Sequence, residues 1–251
     1  MADLRFDPVA KLYARIRPTY PAKVYEHLLR VGGKTRFASG VDIGCGGGQS
    51  LHGLSLICDK VTGIEPAEGL REEARRKYPQ CAVLEGAGER TGLPDRSYDV
   101  ATIATAFYWM DAAAVLREIQ RIVVPGGVFA TYKYDFPRAH GAAADVVERH
   151  LWQRWEAHRS PKLKGIDRTA ELMEQSGYFA SVESPTVPYV IDYLVPQFVD
   201  FLASTSYVSA YMRTLEKPDE YLALLTRELT AVVGERSPVS FDIYMNIGVV
   251  K

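Results

Sequence analysis

The sequence predicts an α/β fold built on a doubly wound, mostly parallel sheet. Short apolar runs typical of strands buried on both faces alternate, over the first 135 residues, with longer stretches that favour helices. A glycine-dense turn joins the first of these strands to the first helix that follows it. Each residue pattern that could bind a ligand also lies directly after a strand, which is where ligands of such sheets bind.

The amino-terminal elements follow from helical spacing and from proline and glycine. Apolar positions at helical spacing run through 7–31, where Pro21 suits the first turn of a second helix and Gly32 ends it. The next elements alternate strand and helix, and we expect them at 37–43, 49–58, 60–64, 67–78 and 82–84.

The later elements are predicted in the same way. A strand is expected at 98–104, and Asp111 is a suitable N-cap for a helix over 112–122, before a fifth strand at 128–134. For the remainder we expect a helical region at 136–165, a short helix at 169–177 and a strand at 182–193. Two amphipathic helices at 196–214 and 218–233 and a final strand at 240–249 complete the chain.

The most informative stretch is the glycine-dense turn, Val41-Asp42-Ile43-Gly44-Cys45-Gly46-Gly47-Gly48-Gln49. Its alternate glycines allow backbone conformations that a Cβ would forbid, so a ligand can lie against bare main chain. Unpaired N–H groups at the start of the following helix favour an anionic group. Glu65 lies 21 residues after Gly44, close to the offset of about 20 residues expected for an acid that binds a ribose. Together these features favour a nucleoside-type ligand over a plain turn.

Two common nucleotide motifs do not fit this turn. A dinucleotide fingerprint requires glycine where this chain has Gln49, and a P-loop requires a Gly-Lys-Ser/Thr run that is absent. A nicotinamide oxidoreductase on the same sheet is therefore disfavoured by its glycine spacing.

The turn resembles the first motif, V-L-D-I-G-C-G-x-G, of the class I S-adenosylmethionine (SAM)-dependent methyltransferases. It is most similar to their type 11-like small-molecule group, which includes trans-aconitate methyltransferase. The likeness extends from about Tyr13 to Tyr132 and includes a Y-x-x-x-R-P-x-Y-P pattern at 13–21. The other matching segments are 63–66, 85–89, 93–95, 97–100, 106–111 and 125–127.

The resemblance implies a Rossmann-like sheet of seven strands in the order 3-2-1-4-5-7-6, with a helical lid. It implies amino-terminal helices and a SAM-binding core over 1–135. A helical lid and acceptor region, with strand six inserted, would cover 136–235, and 236–251 would supply the final strand of the core sheet.

The resemblance also implies SAM as cofactor and S-adenosylhomocysteine (SAH) as product. Arg17 would bind the methionyl carboxylate, and main chain at Ala104 and Thr105 would meet the methionyl amine. The residues expected to bind the cofactor are Tyr13, Arg17, Asp42, Gly44, Cys45, Gly46, Gly48, Glu65, Pro66, Gly88, Glu89, Ala104 and Thr105.

Two positions depart from the family pattern. Many relatives carry Asp at the position of Ala87 to accept from the adenine amino group, so Glu89 or a main-chain carbonyl would have to substitute. Relatives commonly carry His at the position of Tyr108, so the obvious general base is missing and no catalytic residue is assigned. The acceptor-site candidates, for each of which ordinary packing is the alternative, are Tyr108, Trp109, Tyr132 and Tyr207.

The expected activity is methyl transfer to oxygen or nitrogen of a small-molecule acceptor by in-line displacement. The alternative is a protein that binds SAM or SAH without transferring a methyl group, as a sensor or partner module. The missing histidine and the altered adenine loop motivate this alternative.

Composition limits the partners and the setting. A net charge of −1 over 251 residues supplies no field for nucleic acid or an anionic membrane. Three scattered cysteines give no disulfide framework or zinc site, and two histidines, His150 and His158, lack a third metal ligand at suitable spacing. Without a signal peptide or an apolar run of about 20 residues, we expect a cytoplasmic protein, a monomer or homodimer.

Overall fold

The structure, a computed structural model, describes residues 16–163 and 167–251. The chain divides into two compact units. The first contains the described residues up to Tyr134 together with Asp167–Val187 and Ile243–Lys251. The second contains Asp135–Ile166, as far as it is described, and Pro188–Asp242.

Strands and helices alternate through the first half of the chain, as predicted. They are α1 Ala22–Val31, β1 Phe37–Ile43, α2 Gln49–Ile57, β2 Cys58–Ile64, α3 Glu68–Lys77, β3 Ala82–Leu84, β4 Tyr98–Ala104, α4 Ala112–Ile122 and β5 Val123–Tyr134.

The second half contains shorter elements. They are β6 Arg138–Ala139, α5 Ala142–His150, α6 Thr169–Gln175, β7 Phe179–Glu183, β8 Thr186–Leu194, α7 Val195–Ala203, α8 Ser206–Met212, α9 Pro218–Val233 and β9 Arg236–Val250. A π-helical turn follows α5 at Leu151–Trp155, and a 3-10 turn follows β4 at Phe107–Trp109.

The sheet of the first unit has the strand order β3-β2-β1-β4-β5-β9-β7. The first five strands run parallel, and β9 is antiparallel to both β5 and β7. Because the last strand of the chain lies between the fifth strand and β7, the predicted order 3-2-1-4-5-7-6 is confirmed. The detail differs in β6, which was not predicted, and in β8, which was predicted as part of one strand with β7; both pair with β9.

The strand register brings the predicted binding segments to one edge of this sheet. Ile43, the last residue of β1, pairs with Ile64 of β2, and Ala104 of β4 pairs with Tyr132 of β5. Chain segments that leave β1, β2 and β4 are therefore neighbours.

Buried apolar residues hold the helices on the sheet. Val41 and Ile103 lie on the strands with no exposed surface. Helix α4 faces this layer with residues at helical spacing, and the Asp111 carboxylate caps its first turn by accepting from the Ala114 N–H at 2.9 Å. The buried positions of α4 are Val115, Leu116, Glu118, Ile119 and Ile122.

Several predicted elements differ in extent from the structure, the first two for local chemical reasons. The strand expected at 182–193 is two strands, because Pro185, which has no N–H, lies between β7 and β8. The helix expected at 196–214 is also two helices. Between them, the hydroxyls of Ser204 and Thr205 donate to the carbonyls of Phe201 and Leu202, at 2.6 and 2.7 Å.

The third correction concerns 136–165, which was expected to be helical throughout. The structure instead begins this region with strand β6, and Gly141, at a φ of 56°, then precedes α5. Strand β5 also starts five residues earlier than predicted. Its register against β4 shifts where Pro125-Gly126-Gly127 bulges out.

No helix among the described residues combines the length and the apolar character needed to cross a membrane. In the same part of the chain, no group of three or more His, Cys, Asp or Glu side chains is placed to hold a metal ion.

Candidate functional site

The glycine turn after β1 is held against the end of β2 by main-chain hydrogen bonds. The N–H groups of Gly44 and Cys45 both donate to the Ile64 carbonyl, at 2.7 and 3.1 Å. Gly44 has a φ of 69°, and a Cβ there would come within 3.0 Å of the Ala106 Cβ. Backbone conformation and the close approach of Ala106 therefore both disfavour a side chain at position 44.

The carboxylate of Glu65 faces this turn. One of its oxygens accepts from the Gly46 N–H at 2.9 Å, and the other accepts from the Ala67 N–H at 2.9 Å. Burial raises the pKa of Glu65, although the Ala67 and Gly46 N–H groups and the charge of Arg71 act in the opposite direction. The acid at the end of β2 and the glycine turn after β1 are thus in direct contact.

A buried arginine supports the segment that carries Glu65. The Nη1 of Arg71 donates to the carbonyls of Glu65 and Pro66, at 3.1 and 2.7 Å. Sequence reasoning missed this residue. The sequence did contain a signal for its burial: Arg71 lies between Leu70 and Ala74, on the helix face that is otherwise apolar in α3.

A small cavity lies beside the turn. Its volume is about 30 Å³, the share of roughly one water molecule in liquid, so it can hold only one polar end of a larger ligand. Six of its lining residues were predicted to bind a cofactor, and they are Arg17, Asp42, Gly44, Cys45, Gly46 and Ala104. Four were not, and they are Tyr20, Gln49, Ser50 and Tyr134.

Asp42 contributes a fully buried carboxylate to the cavity. Its Oδ1 accepts from the Thr102 hydroxyl at 2.7 Å, whereas its Oδ2 has no hydrogen-bond partner among the described residues. Burial raises the pKa of Asp42 to about 7; the nearby Glu65 acts in the same direction, whereas Thr102 and Ser50 oppose the shift. A buried acceptor without a donor requires an explanation, and a cationic ligand group would supply one.

Arg17 brings the opposite charge to the same cavity. Its Nη1 donates to the Tyr134 hydroxyl at 3.0 Å, and its guanidinium lies 5.8 Å from the centre of that ring. Arg17 and Asp42 together suit a ligand that carries both an anionic and a cationic group. Tyr13, the other predicted residue of this segment, lies outside the described residues.

Thr105, just after β4, has a strained backbone. Its φ of 54° is uncommon for a residue with a Cβ. Its N–H donates to the Tyr132 carbonyl at 2.8 Å, and its hydroxyl is 2.6 Å from the Tyr20 hydroxyl. Such strain persists only where neighbouring contacts enforce it, and here it occurs beside the cavity.

The other predicted cofactor residues do not line the cavity. Gly48, at a φ of 92°, precedes the first residue of α2. A Cβ at Gly88 would lie 2.6 Å from the Met110 sulfur. The carbonyl of Pro66 accepts from Arg71, and the carboxylate of Glu89 accepts from the Asp111 N–H at 2.9 Å.

The four predicted acceptor residues lie in different places. Tyr108 and Trp109 follow β4, with ring centres 5.1 Å apart. Tyr132 is buried, and its hydroxyl contacts the Ser50 hydroxyl. Tyr207 belongs to the second unit, where its ring centre is 5.3 Å from that of Phe136.

The second unit also contains a buried polar network around His150. Its Nδ1 is 2.7 Å from the Tyr221 hydroxyl, and its Nε2 is 2.9 Å from a Glu228 carboxylate oxygen. The Trp155 indole donates to the same Tyr221 hydroxyl at 2.9 Å. These contacts assign both ring nitrogens of His150 to protein partners.

Comparison with known proteins gives independent evidence on the family of this chain. Residues 41–131 match a family described as "Methyltransferase domain". A Mycobacterium bovis protein, named as an uncharacterized methyltransferase, is 30% identical over 238 residues, which cover 88% of this chain and 86% of that protein. A Dictyostelium discoideum protein named as a methyltransferase is 25% identical over 250 residues, covering 97% of this chain and 94% of the relative.

A solved structure is also similar over nearly the whole chain. It is described as a type II methyltransferase from Anaeromyxobacter dehalogenans, with a TM-score of 0.73 and 26% identity. The match covers 93% of this chain and 97% of that structure.

Proposed function

Because this chain belongs to the SAM-dependent methyltransferases, we propose that it transfers a methyl group to oxygen or nitrogen of a small-molecule acceptor. The single observation that supports the site most strongly is the contact between Glu65 and the glycine turn, at 2.9 Å from the Gly46 N–H. This contact places an acid and bare main chain side by side, as recognition of an adenosyl group requires.

The residues around the cavity fit the cofactor. The methionyl end of SAM carries a carboxylate and an ammonium group, and Arg17 and Asp42 line one cavity with the complementary charges. The Oδ2 of Asp42, for which the described residues supply no hydrogen-bond partner, would accept from the ammonium group. Arg17 would bind the carboxylate, and Glu65 would accept from the ribose hydroxyls.

The cofactor supplies the reactive group, because a methyl on a positively charged sulfur is activated towards a nucleophile. The protein's contribution is then to align the two reactants and to exclude water. Aromatic faces such as those of Tyr108 and Trp109 would favour the cation. Burial raises the pKa of the Cys45 thiol well above its usual value, so Cys45 stays protonated and is not a nucleophile.

We infer that the acceptor needs no general base. Tyr108 stands where many relatives carry histidine, and an acceptor that is already a carboxylate or phenolate attacks without losing a proton. We also infer that residues 136–235, the predicted lid and acceptor region, determine which acceptor is used, whereas residues 1–135 supply the cofactor residues. No nucleic-acid or membrane partner forms part of this proposal.

The proposal is tested by incubating the purified protein with SAM labelled on its methyl group and a panel of carboxylic acids, phenols and amines. We expect label to appear in at least one acceptor, at a rate that SAH inhibits. Tight SAH binding without transfer to any acceptor would instead support the alternative, a sensor or partner module that binds the cofactor.

A further inference from the structure

Two hydrogen bonds hold Thr105 in its strained conformation. Its N–H donates to the Tyr132 carbonyl at 2.8 Å, and its hydroxyl is hydrogen-bonded to the Tyr20 hydroxyl at 2.6 Å. These two groups of Thr105 lie on opposite sides of its N–Cα bond, the bond about which φ is measured. The two contacts together therefore fix φ at 54°, a value that a β-branched residue otherwise avoids.

Tyr20 is suited to hold the Thr105 side chain because it is itself held in place. It is 7% exposed, and its ring centre lies 4.7 Å from that of Tyr132 and 5.9 Å from that of Tyr134. It also directly precedes Pro21, the N-cap of α1. A ring packed against two others presents its hydroxyl at a nearly constant position.

The peptide between Ala104 and Thr105 directs a carbonyl group to the side of the cavity. No peptide bond in the described part of the chain is cis, and in a trans peptide the C=O and N–H groups point in opposite directions. Because the Thr105 N–H points to β5, the Ala104 carbonyl points to the other side of β4, where β1 lies. Asp42 of β1 and Ala104 both line the cavity.

Release of Thr105 from its strain would turn this carbonyl away. A return to negative φ, with the side chain and the following residues in place, rotates the 104–105 peptide about the N–Cα bond of Thr105. This rotation breaks the hydrogen bond to Tyr132 and moves the Ala104 carbonyl by the same angle. The orientation of the carbonyl thus depends on the contacts that maintain the strain.

We propose that Tyr20 is a positioning residue, which holds Thr105 at positive φ and so directs the Ala104 carbonyl to the ammonium group of SAM or SAH. This inference rests on the proposed function, since the ammonium group belongs to that cofactor. An ammonium group has three N–H donors, so the Ala104 carbonyl and Asp42 can bind it together. A carbonyl that is already in place binds the ligand without the cost of a conformational change.

The first test is Tyr20→Phe, which keeps the ring and removes the hydroxyl. We expect the Kd for SAH, measured by isothermal titration, to rise about tenfold, the scale of one hydrogen bond. Binding of 5′-methylthioadenosine, which has the adenosyl group but neither the amine nor the carboxylate, should be unchanged. A variant that merely loosens the fold would weaken both ligands.

The matched control is Tyr98→Phe, which removes the hydroxyl of another Tyr–Thr pair in the same unit. The Tyr98 hydroxyl donates to the Thr62 hydroxyl at 3.1 Å, and neither residue lines the cavity. We expect this variant to bind SAH as the wild type does.

The second test separates action through Thr105 from direct contact between the Tyr20 hydroxyl and the ligand. Thr105→Val keeps the shape of the side chain and removes its hydroxyl, and we expect the same rise in the Kd for SAH as in Tyr20→Phe. The double variant should be no weaker than either single one, because both changes break the same hydrogen bond. Thr105→Val also keeps the inference testable if Tyr20→Phe does not fold.

The third test concerns the strain itself. Glycine adopts positive φ without a steric penalty, so Thr105→Gly in the Tyr20→Phe background should recover most of the lost SAH affinity. A Tyr20 hydroxyl that only stabilised the fold would give no such rescue.

Each outcome decides the question. The inference is overturned by unchanged SAH affinity in Tyr20→Phe or Thr105→Val, by equal weakening of both ligands, by additive effects in the double variant, by the absence of rescue with glycine, or by equal weakening of SAH in Tyr98→Phe. Failure of the wild type to bind SAH at millimolar concentration would instead refute the proposed cofactor site itself. The two kinds of failure are therefore distinguishable.

Discussion

Three buried charged side chains, Asp42, Glu65 and Arg71, lie at the carboxyl ends of β1 and β2 or next to them. A buried charge is costly unless hydrogen bonds satisfy it. Main-chain groups satisfy both oxygens of Glu65, and main-chain carbonyls accept from Arg71. Within the described part of the chain only one oxygen of Asp42 has a hydrogen-bond partner, so a cationic ligand group would satisfy the other.

We predict that SAH affinity depends on the ionisation of Asp42. Burial raises the pKa of this carboxyl to about 7 in the free protein. The ammonium group binds the ionised form, so the affinity is highest above pH 7 and falls as the pH drops below it. Titrations with SAH at pH 8, 7 and 6 measure this trend.

The matched control is Asp42→Asn, which keeps the shape and removes the charge. We expect its SAH affinity at pH 8 to be lower by at least about tenfold, the scale of a hydrogen bond to a charged group. Its affinity should also lack most of the decline between pH 8 and pH 6. A wild-type affinity that is constant over this range would contradict the assignment of the ammonium group to Asp42.

Some residues of the candidate site can be predicted from the sequence and others cannot. Asp42, Gly44 and Gly46 could be predicted because the spacing of the glycine turn reflects backbone conformation, which is local. Arg71 and Ser50 could not, because their roles depend on which groups the packed sheet and helices bring against them. Polar side chains whose partners are distant in sequence leave little local pattern.

At the scale of elements, helices α1 and α2 approach each other through a glycine. A Cβ at Gly53 of α2 would lie 1.9 Å from ring atoms of Tyr25 in α1. Such an approach is impossible for any other residue unless Tyr25 moves. These two helices carry Tyr25 and Ser50, and the Tyr25 hydroxyl donates to the Ser50 carbonyl at 3.2 Å.

We therefore predict that Gly53→Ala destabilises the protein, although the same change at an open helix position gains about 1 kcal/mol. Overpacking against Tyr25 should cost roughly 1–3 kcal/mol in the free energy of unfolding, measured with urea. Leu56→Ala, at an exposed position of the same helix, is the control and should have little effect. A Gly53→Ala protein as stable as the wild type would show that the helices are not packed in this way.

Element type could be predicted better than element boundaries. The strands β1 to β4 are short apolar runs, and their predicted bounds agree with the observed ones to within two residues. The early start of β5 was missed because Pro125-Gly126-Gly127 reads as a turn, whereas tertiary pairing with β4 carries the strand across it. The π-helical turn after α5 has no signal of its own in the residue pattern.

At the scale of the whole molecule, each of the two units contains a buried titratable group. In the second unit burial lowers the pKa of His150, against the opposing effect of Glu228. The unfolded chain then binds a proton more readily than the folded one. The resulting contribution to stability is complete above the unfolded value of 6.5 and is lost as the pH falls below it.

We predict that the second unit becomes less stable to urea between pH 8 and pH 5.5. Fluorescence in a Trp109→Phe background follows this unit, because the two remaining tryptophans, Trp152 and Trp155, lie within it. His150→Gln should reduce this pH dependence, whereas His140→Gln, at an exposed position of the same unit, should preserve it. Equal pH dependence in the wild type and His150→Gln would contradict the prediction.

The fold class and the family could be predicted from the first half of the chain, where motifs follow strand ends in a regular order. The second unit could be predicted only as helices and strands. The predicted helix at 196–214 is divided at Ser204 and Thr205, whose local hydrogen bonds compete with the longer helical pattern. The acceptor therefore remains the least predictable feature, since its chemistry has no comparable motif.

The most direct measurement compares SAH binding to the wild type and to Glu65→Ala by isothermal titration. We predict that the wild type binds SAH well below millimolar concentration. Glu65→Ala should bind it at least about tenfold more weakly, because ribose hydroxyls lose a charged acceptor. Equal affinity in the two proteins, or no SAH binding to the wild type at millimolar concentration, would contradict the claim that the glycine turn and Glu65 jointly bind an adenosyl group.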